Sequence, residues 1–203
     1  MPQQENHNQA LRLELRKQIL ASRNGLSAQE RQRKSTQIIQ TLVKQKIFKQ
    51  AKTIFSYVNF RSEVITDPLL VETCLAVGKR LCVPLTIQQD FRLIPYELTD
   101  RDRLRPGCYG IPEPDPDTCE QISPHEIDLI VLPGSVFDRF GGRLGYGGGF
   151  YDRFIENEAP GAIRVGLAFD LQIADKLPLL PHDQLLHHLI TEHEIVTFNQ
   201  DMP

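Results

Sequence analysis

The chain contains no tryptophan, and aromatic residues make up only 7% of its 203 positions. Its formal net charge is -3, so it has no excess of basic residues. Nucleic-acid binding without sequence preference needs a basic surface, and single-strand binders also need aromatic side chains on which bases stack. The sequence has no basic excess, and its aromatic residues are few. We therefore expect small-molecule partners and no nucleic acid.

Paired cysteines are also missing. None of the four cysteines falls in a C-x-x-C pair or shows metal-ligand spacing, which is typical of reduced thiols. The stretch "MPQQENHNQA" is polar and lacks the apolar core of a signal peptide, and no apolar run approaches the length of a membrane span. We expect a cytoplasmic protein that does not bind membranes. Nothing in the sequence suggests a partner protein, so a monomer or weak homodimer is expected.

Helical and β-type patterns alternate along the chain. Ser27 and Glu30 form a capping box, in which each side chain binds a free backbone N–H of a helix's first turn. The run "EIDLIVLPG", 126–134, is typical of a buried central strand. "FRLIPYEL", 91–98, is predicted at a sheet edge, because Pro95 cannot donate to a ladder. The other predicted helices are one with Leu11, Leu15 and Ile19 at helical spacing, one from Ser27 to about Gln45, one that begins at Asp67-Pro68 and one over 150–157. The other predicted strands cover 52–60, 80–85 and 162–169, and a surface loop is predicted over 103–118. This alternation predicts an α/β protein with a largely parallel sheet.

The segment "RLGYGGGFYDRF", residues 143–154, has four glycines among twelve residues and leads into a predicted helix. Glycines let backbone N–H groups approach a ligand, and a helix N-terminus favours negative charge, so an anion site is predicted. Arg143 could bind a phosphate, and Asp152 could hold a Mg²⁺ that bridges phosphate oxygens. There is no G-K-[ST] and no G-x-G-x-x-G, so the known phosphate loops do not fit. A flexible surface turn is the alternative; Tyr146, Phe150 and Tyr151 speak against it, because they suit a flat organic ligand.

The longer stretch "DLIVLPGSVFDRFGGRLGYGGGFYDRFI", 128–155, resembles the signature of the 5-formyltetrahydrofolate cyclo-ligases, also called 5,10-methenyltetrahydrofolate synthetases. Bacterial members show R-[LI]-G-x-G-G-G-[FY]-Y-D, which residues 143–152 match. "FSYVNFRSEVIT", "YGIPEP" and "KLPLLPHDQLLHHLITE" follow the family's order, so the resemblance covers nearly the whole chain. It implies a single cyclo-ligase domain over residues 1–203. The implied fold has three α/β/α layers and is similar to the sugar-phosphate isomerase and CoA transferase architecture.

The resemblance implies ATP- and Mg²⁺-dependent conversion of 5-formyltetrahydrofolate to 5,10-methenyltetrahydrofolate, with release of ADP and phosphate. In the implied route the formyl oxygen is phosphorylated, N10 closes the ring and phosphate leaves. Positioning and charge neutralisation would do most of the work.

The resemblance also implies the site residues. Arg143, Tyr151 and Asp152 would be catalytic, with Asp152 and Asp183 as metal ligands. The implied ATP-binding residues are Arg12, Arg143, Leu144, Gly145, Tyr146, Gly147, Gly148, Gly149, Phe150 and Tyr151. The implied folate-binding residues are Val58, Glu63, Tyr109, Tyr146, Gly147 and Phe150. A solvated helix face remains the alternative for Arg12, a loop carboxylate the alternative for Glu63, and a structural role the alternative for Tyr109.

Two positions depart from the family pattern. Asn8 stands where many members have a lysine, which puts one cationic contact to ATP in doubt. His187 and His188 follow Asp183, but adjacent histidines face different directions and no third ligand has suitable spacing, so zinc is not expected. A folate storage protein and a sugar-phosphate or acyl-CoA enzyme are the competing functions, the latter by fold analogy alone.

Overall fold

The computed structural model describes residues 2–67 and 69–198, which form five α-helices and twelve short strands. The helices are α1 (Pro2–Asn24), α2 (Ala28–Lys44), α3 (Lys46–Gln50), α4 (Leu69–Ala76) and α5 (Phe150–Asn157). The strands are β1 (Thr53–Ser56), β2 (Arg80–Ile87), β3 (Arg92–Glu97), β4 (Leu104–Pro106), β5 (Pro112–Pro114), β6 (Leu129–Leu132), β7 (Val136–Asp138), β8 (Arg143–Leu144), β9 (Ile163–Leu167), β10 (Ile173–Ala174), β11 (His188–Ile190) and β12 (Ile195–Thr197).

Seven strands form one central sheet in the order β12-β11-β9-β6-β1-β2-β3. Strand β6, predicted as a central strand, lies in the middle and pairs in parallel with β1 and β9. The pairs β1–β2 and β9–β11 are also parallel, whereas β2–β3 and β11–β12 at the two edges are antiparallel. Strand β3 is an edge strand, as its Pro95 predicts. The predicted largely parallel sheet is therefore confirmed.

Helices cover both faces of this sheet. Successive side chains of a strand point to opposite faces. Leu129 and Val131 of β6 lie in a core with Ile38 of α2, whereas Ile130 lies in a second core with Phe154 of α5. The three α/β/α layers are therefore confirmed. Burial on both faces explains why β6 is apolar at every position.

Helix α1 packs beside a smaller sheet with the strand order β10-β7-β8. Leu15 and Ile19 contact an apolar cluster of that sheet, as their spacing predicts. Leu11 was expected on the same face, and this expectation is wrong, because Leu11 is 42% exposed while Arg12 is buried. The protein surface on which α1 packs has carbonyl and carboxylate oxygens that accept hydrogen bonds from the arginines of α1. The buried face of α1 is therefore partly charged.

Local signals predicted several element boundaries. Helix α2 begins with the capping box, in which the Glu30 N–H donates to Ser27 Oγ at 3.2 Å and the Ser27 N–H donates to Glu30 Oε2 at 3.2 Å. Helix α5 spans the predicted residues. Strand β1 is shorter than the predicted range 52–60, because the chain leaves the sheet after Ser56. Helix α4 is the predicted third helix, but the role of Pro68 lies outside the described residues.

The prediction of a surface loop over 103–118 is wrong in part, since β4 and β5 form an antiparallel hairpin there. Its prolines predicted a loop because they cannot donate to a ladder. Neighbouring residues supply the donors: the Gly107 N–H bonds Ile111 O at 2.9 Å, and the Asp115 N–H bonds Arg103 O at 3.1 Å.

No helix within 2–67 and 69–198 combines the length and apolar character needed to span a membrane.

Candidate active site

A cavity of about 390 Å³ lies at the carboxyl ends of the central parallel strands. Tyr57 and Val58 follow β1, and Pro133 follows β6, so the strand ends supply part of its wall. Open α/β sheets commonly bind ligands at this edge. The loop after β1, strands β2 and β3, the hairpin β4–β5, the glycine segment and the first turn of α5 supply the rest of the wall.

Most of the residues predicted from the sequence line this cavity: Val58, Glu63, Tyr109, Arg143, Gly145, Tyr146, Gly148, Gly149, Phe150, Tyr151 and Asp152. The structure thus brings the predicted folate residues of the loop after β1 and of the hairpin next to the predicted ATP residues of the glycine segment. Arg12, Leu144, Gly147 and Asp183 do not line it. Leu144 is buried in an apolar cluster, and Arg12 and Asp183 pair with each other. The roles of all these residues toward ligands stay predictions.

Arg143 and Asp152 form an ion pair in the cavity wall. The Arg143 Nη2 donates to Asp152 Oδ1 at 2.9 Å, and the Arg143 side chain is only 2% exposed. Its Nη1 donates to the Pro133 carbonyl at 3.1 Å. Its Nε is buried and has no hydrogen-bond partner among the described residues. A buried donor without a partner is unusual in a folded protein, and it leaves this residue of the cavity wall with an unused N–H.

Asp152 has the donor atoms that a Mg²⁺ site needs. Its Oδ1 accepts hydrogen bonds from Arg143 and from the Gln184 N–H at 3.1 Å, whereas its Oδ2 has no partner among the described residues. Mg²⁺ is usually held by one or two carboxylates together with substrate phosphates and water. No group of three or more histidine, cysteine or acidic side chains within the described ranges could hold a metal. Asp152 therefore fits a Mg²⁺ that takes its other ligands from phosphate and water.

Asp183 is placed differently, because Arg12 engages both of its oxygens. Arg12 Nη2 donates to Asp183 Oδ1 at 3.0 Å, Nη1 donates to Oδ2, and the Leu180 N–H donates to Oδ2 at 2.7 Å. Burial alone would raise the pKa of Asp183, but these hydrogen bonds outweigh it and lower the pKa below its ordinary value. The pair ties α1 to the segment around Pro178, whose carbonyl also accepts from Arg12 at 3.1 Å.

The backbone of the glycine segment turns sharply before α5. Gly147 has φ of 108° and Gly149, the N-cap of α5, has φ of 65°, values that other residues rarely adopt. A Cβ on Gly148 would lie 2.6 Å from Cε2 of Phe150, so the chain passes close against that ring. The N–H groups of the first turn of a helix have no partner within the helix, which makes them donors for an anion.

A hydrogen-bonded chain joins the glycine segment to the loop after β1. The Arg23 Nη2 donates to the Tyr146 hydroxyl at 2.7 Å, and this hydroxyl donates to Glu63 Oε1 at 2.7 Å. The Phe60 N–H donates to Glu63 Oε2, also at 2.7 Å. Burial raises the pKa of Glu63, and the hydrogen bonds from Tyr146 and Phe60 and the charge of Arg23 oppose that rise. Burial and the nearby Glu63 charge raise the pKa of Tyr146, so its hydroxyl stays protonated at neutral pH.

Several cavity residues were not predicted from the sequence: Tyr57, Phe60, Arg61, Pro84, Thr86, Leu93, Ile111, Pro112, Glu113 and Pro133. Glu113 is the most informative of them. It is buried, yet its carboxylate has no hydrogen bond or ion pair among the described residues. It packs against Gly107, where a Cβ would lie 2.4 Å from Glu113 Oε2. A charged residue within "YGIPEP" was the available signal.

The two adjacent histidines take part in the sheet. His187 Nδ1 accepts the Arg164 N–H at 2.9 Å, and His188 Nδ1 lies 3.1 Å from Thr197 Oγ1. Burial, the charge of Arg164 and the neighbouring His188 lower the pKa of His187 to about 4. These contacts hold neighbouring strands together.

A largely parallel sheet with a cavity at its carboxyl edge and a glycine-rich helix N-terminus is the architecture of an α/β enzyme that acts on small molecules. The particular family follows from comparison with known proteins, because residues 7–192 match the 5-formyltetrahydrofolate cyclo-ligase family. The chain therefore belongs to that family, as its resemblance implies.

Relatives agree in sequence and in fold. The NMR structure of 5,10-methenyltetrahydrofolate synthetase from Aquifex aeolicus has a TM-score of 0.82 to this chain, with 32% identity over 95% of both chains. The 5-formyltetrahydrofolate cyclo-ligase of Haemophilus influenzae is 32% identical over 173 residues, 84% of this chain and 89% of the relative. A probable 5-formyltetrahydrofolate cyclo-ligase of Caenorhabditis elegans is 30% identical over 201 residues, 92% of this chain and 95% of the relative.

Proposed function

We propose that the protein converts 5-formyltetrahydrofolate to 5,10-methenyltetrahydrofolate in an ATP- and Mg²⁺-dependent reaction that releases ADP and phosphate. The observation that carries this proposal is one cavity lined both by the Arg143–Asp152 pair beside the glycine segment and by Glu63 with Tyr146. Such a cavity has anion-binding groups next to groups that accept N–H donors. Phosphoryl transfer between two bound substrates requires this proximity.

The glycine segment is suited to the ATP phosphates. The free N–H groups at the start of α5 and the partnerless Nε of Arg143 are donors for phosphate oxygens. Oδ2 of Asp152 would hold the Mg²⁺, and Arg143 fixes the orientation of that carboxylate through Oδ1. When bound, Mg²⁺ would neutralise charge on the phosphates.

The opposite side of the cavity is suited to the folate. Glu63 is an acceptor for the N–H groups of the pterin, and the rings of Phe150 and Tyr109 offer flat apolar walls. Val58 is buried where β1 ends and adds to that wall. The residues of the two sides would hold the formyl oxygen toward the γ-phosphate.

The chemistry needs little covalent participation by the protein. Transfer of the γ-phosphoryl group to the formyl oxygen makes that oxygen a good leaving group. The N10 lone pair then attacks the formyl carbon, the C–O bond breaks with release of phosphate, and N10 loses its proton. Arg143 stabilises the negative charge of the transferring group.

The test is the near-ultraviolet absorbance of the methenyl product, measured with purified protein, 5-formyltetrahydrofolate and Mg²⁺, with and without ATP. We expect a rise only with ATP, and one ADP and one phosphate for each product formed. Product formation without ATP would contradict the proposed reaction. Binding of the folate by calorimetry without turnover would instead indicate a storage protein.

A further inference from the structure

Arg23, at the end of α1, is a buried arginine whose nearest partners are neutral. Its side chain is among the largest fully buried ones, and the residue is 2% exposed. Nε donates to Ser62 Oγ at 3.0 Å, Nη1 donates to the Gly134 carbonyl at 3.1 Å, and Nη2 donates to the Tyr146 hydroxyl at 2.7 Å. One planar guanidinium thus joins the loop after β1, the loop after β6 and the glycine segment.

The direction of the hydrogen bonds along this chain is fixed by chemistry. A guanidinium can only donate, so the Tyr146 oxygen must accept from Arg23. The hydroxyl proton of Tyr146 is then free to point to Glu63 Oε1, 2.7 Å away. Arg23 therefore determines which way the Tyr146 hydroxyl presents its proton.

The Tyr146 side chain makes no other hydrogen bond among the described residues, although Arg16 holds the carbonyl of the preceding Gly145. Glycines stand on both sides of it, Gly147 has positive φ, and the residue is 53% exposed. Glycine-flanked residues have wide backbone freedom. The contact between its hydroxyl, Arg23 and Glu63 anchors this part of the glycine segment over the cavity.

Glu63 depends on the same anchor. Each of its oxygens accepts one hydrogen bond from the protein, Oε1 from Tyr146 and Oε2 from the Phe60 N–H. A carboxylate oxygen has two lone pairs, so each retains one for a ligand in the cavity. With both oxygens held, the carboxylate plane is fixed before a ligand binds, which reduces the cost of ordering it on binding.

We propose that Arg23 is a positioning residue for substrate binding, which acts through the Tyr146 hydroxyl to fix Glu63 and the glycine segment over the folate side of the cavity. This inference rests on the proposed function for the identity of the ligand. Arg23 itself need not touch the folate.

A double-mutant cycle tests the proposal with Arg23→Lys, Tyr146→Phe and the double variant. A lysine keeps the charge, but its three donors leave a single nitrogen, so it cannot span the three acceptors that the separate nitrogens of the guanidinium reach. We expect each single variant to raise KM for 5-formyltetrahydrofolate about tenfold, and the double variant to raise it no further, because both changes break one chain of hydrogen bonds. The kcat at saturating folate should change little, since ground-state positioning is lost. Arg33→Lys, an exposed arginine of α2 that bonds only Gln37 among the described residues, is the matched control and should leave KM unchanged.

Ser62→Ala is the second route, in case Arg23→Lys does not fold. It keeps the arginine and removes the acceptor of its Nε, together with the hydrogen bond that Ser62 Oγ donates to Asn24 Oδ1. A rise in KM in the wild-type background that disappears in the Tyr146→Phe background supports the proposal, with thermal unfolding measured in parallel. Single-variant effects that multiply to about a hundredfold in the double variant would overturn it, as would an Arg23→Lys or Ser62→Ala protein with lowered thermal stability and unchanged KM.

Failure of the proposed function gives a different result. If the wild-type protein neither binds nor turns over 5-formyltetrahydrofolate, the proposed function and this inference both fail. If the wild-type protein is active and the cycle is additive, only the inference fails.

Discussion

A methyl group at Gly148 should distort the cavity wall without changing any charge. A Cβ at this position would lie 2.6 and 2.7 Å from Cε2 and Cδ2 of Phe150, and ordinary van der Waals contact begins at 3.4 Å. The ring, which lines the cavity and packs 5.6 Å from Phe91, would have to move by about 0.8 Å. Gly148 does not have positive φ, so alanine is compatible with its backbone and the effect comes from the contact alone.

The expected losses of stability and of activity in Gly148→Ala have separate causes. Overpacking against an aromatic ring costs about 1–3 kcal/mol of stability. Misplacement of a substrate-positioning group by about 1 Å costs up to about a hundredfold in rate, so we expect kcat/KM of Gly148→Ala to fall about 10–100-fold. The assay is the absorbance of the methenyl product at varied folate and varied ATP, with thermal unfolding of the same samples.

Gly161→Ala is the matched control, because a Cβ there meets nothing within 4 Å and Gly161 does not have positive φ. It should leave both kinetic constants unchanged and stabilise the fold by about 0.4–1 kcal/mol at most. If Gly148→Ala kept wild-type kcat/KM, Phe150 would not position substrate and the glycine segment would be only a turn.

Three further predictions follow from the contacts of single residues. Asp152→Asn should reduce ATP-dependent turnover at least about a hundredfold. Because it leaves the buried Arg143 without its counter-charge, it should also lower the free energy of unfolding by about 3–5 kcal/mol, measured by thermal unfolding. A fully active variant would show that Asp152 is not part of the phosphate site. Folate binding should weaken as pH falls through the raised pKa of Glu63, because the charged carboxylate is the acceptor, and calorimetry on Glu63→Gln should show that pH dependence gone. His187, whose pKa is lowered to about 4 by burial, Arg164 and His188, must stay neutral in the folded state, so stability should be lost as pH falls from 6.5 towards 4. His187→Asn, which keeps an acceptor for the Arg164 N–H, should flatten that slope in melting curves, and an unchanged slope would contradict this origin.

The elements that could be predicted from sequence are those whose signals are local. The apolar run of β6, the edge position that Pro95 gives to β3 and the capping box at Ser27 depend on residues within a few positions of each other. The glycine segment is local as well, because its turn geometry and the start of α5 follow from consecutive residues. Eight of the 21 residues that line the cavity lie in that segment, so a short motif could indicate the site.

The parts of the candidate site that could not be predicted depend on contacts between residues far apart in the chain. Arg23 meets Tyr146 across 123 positions, and the Tyr146 hydroxyl meets Glu63 across 83. No local pattern distinguishes Arg23 from a solvated arginine on an amphipathic helix. Glu113 has the same difficulty, since its burial follows from a hairpin whose prolines predict a loop.

The arginines of α1 show what such long-range contacts achieve. Arg12 binds Asp183, Arg16 Nε donates to the Gly145 carbonyl at 2.8 Å, and Arg23 binds Tyr146 and Gly134. Residues 12 and 23 are eleven positions apart, which along a helix is about 16 Å. One rigid helix therefore sets the distance between two contacts. One is the Arg12–Asp183 pair, next to which the Gln184 N–H binds Asp152, and the other is the Tyr146–Glu63 hydrogen bond on the folate side. A helix whose buried face carried only leucine would pack on the core but could not hold two polar ends of a cavity at a fixed separation.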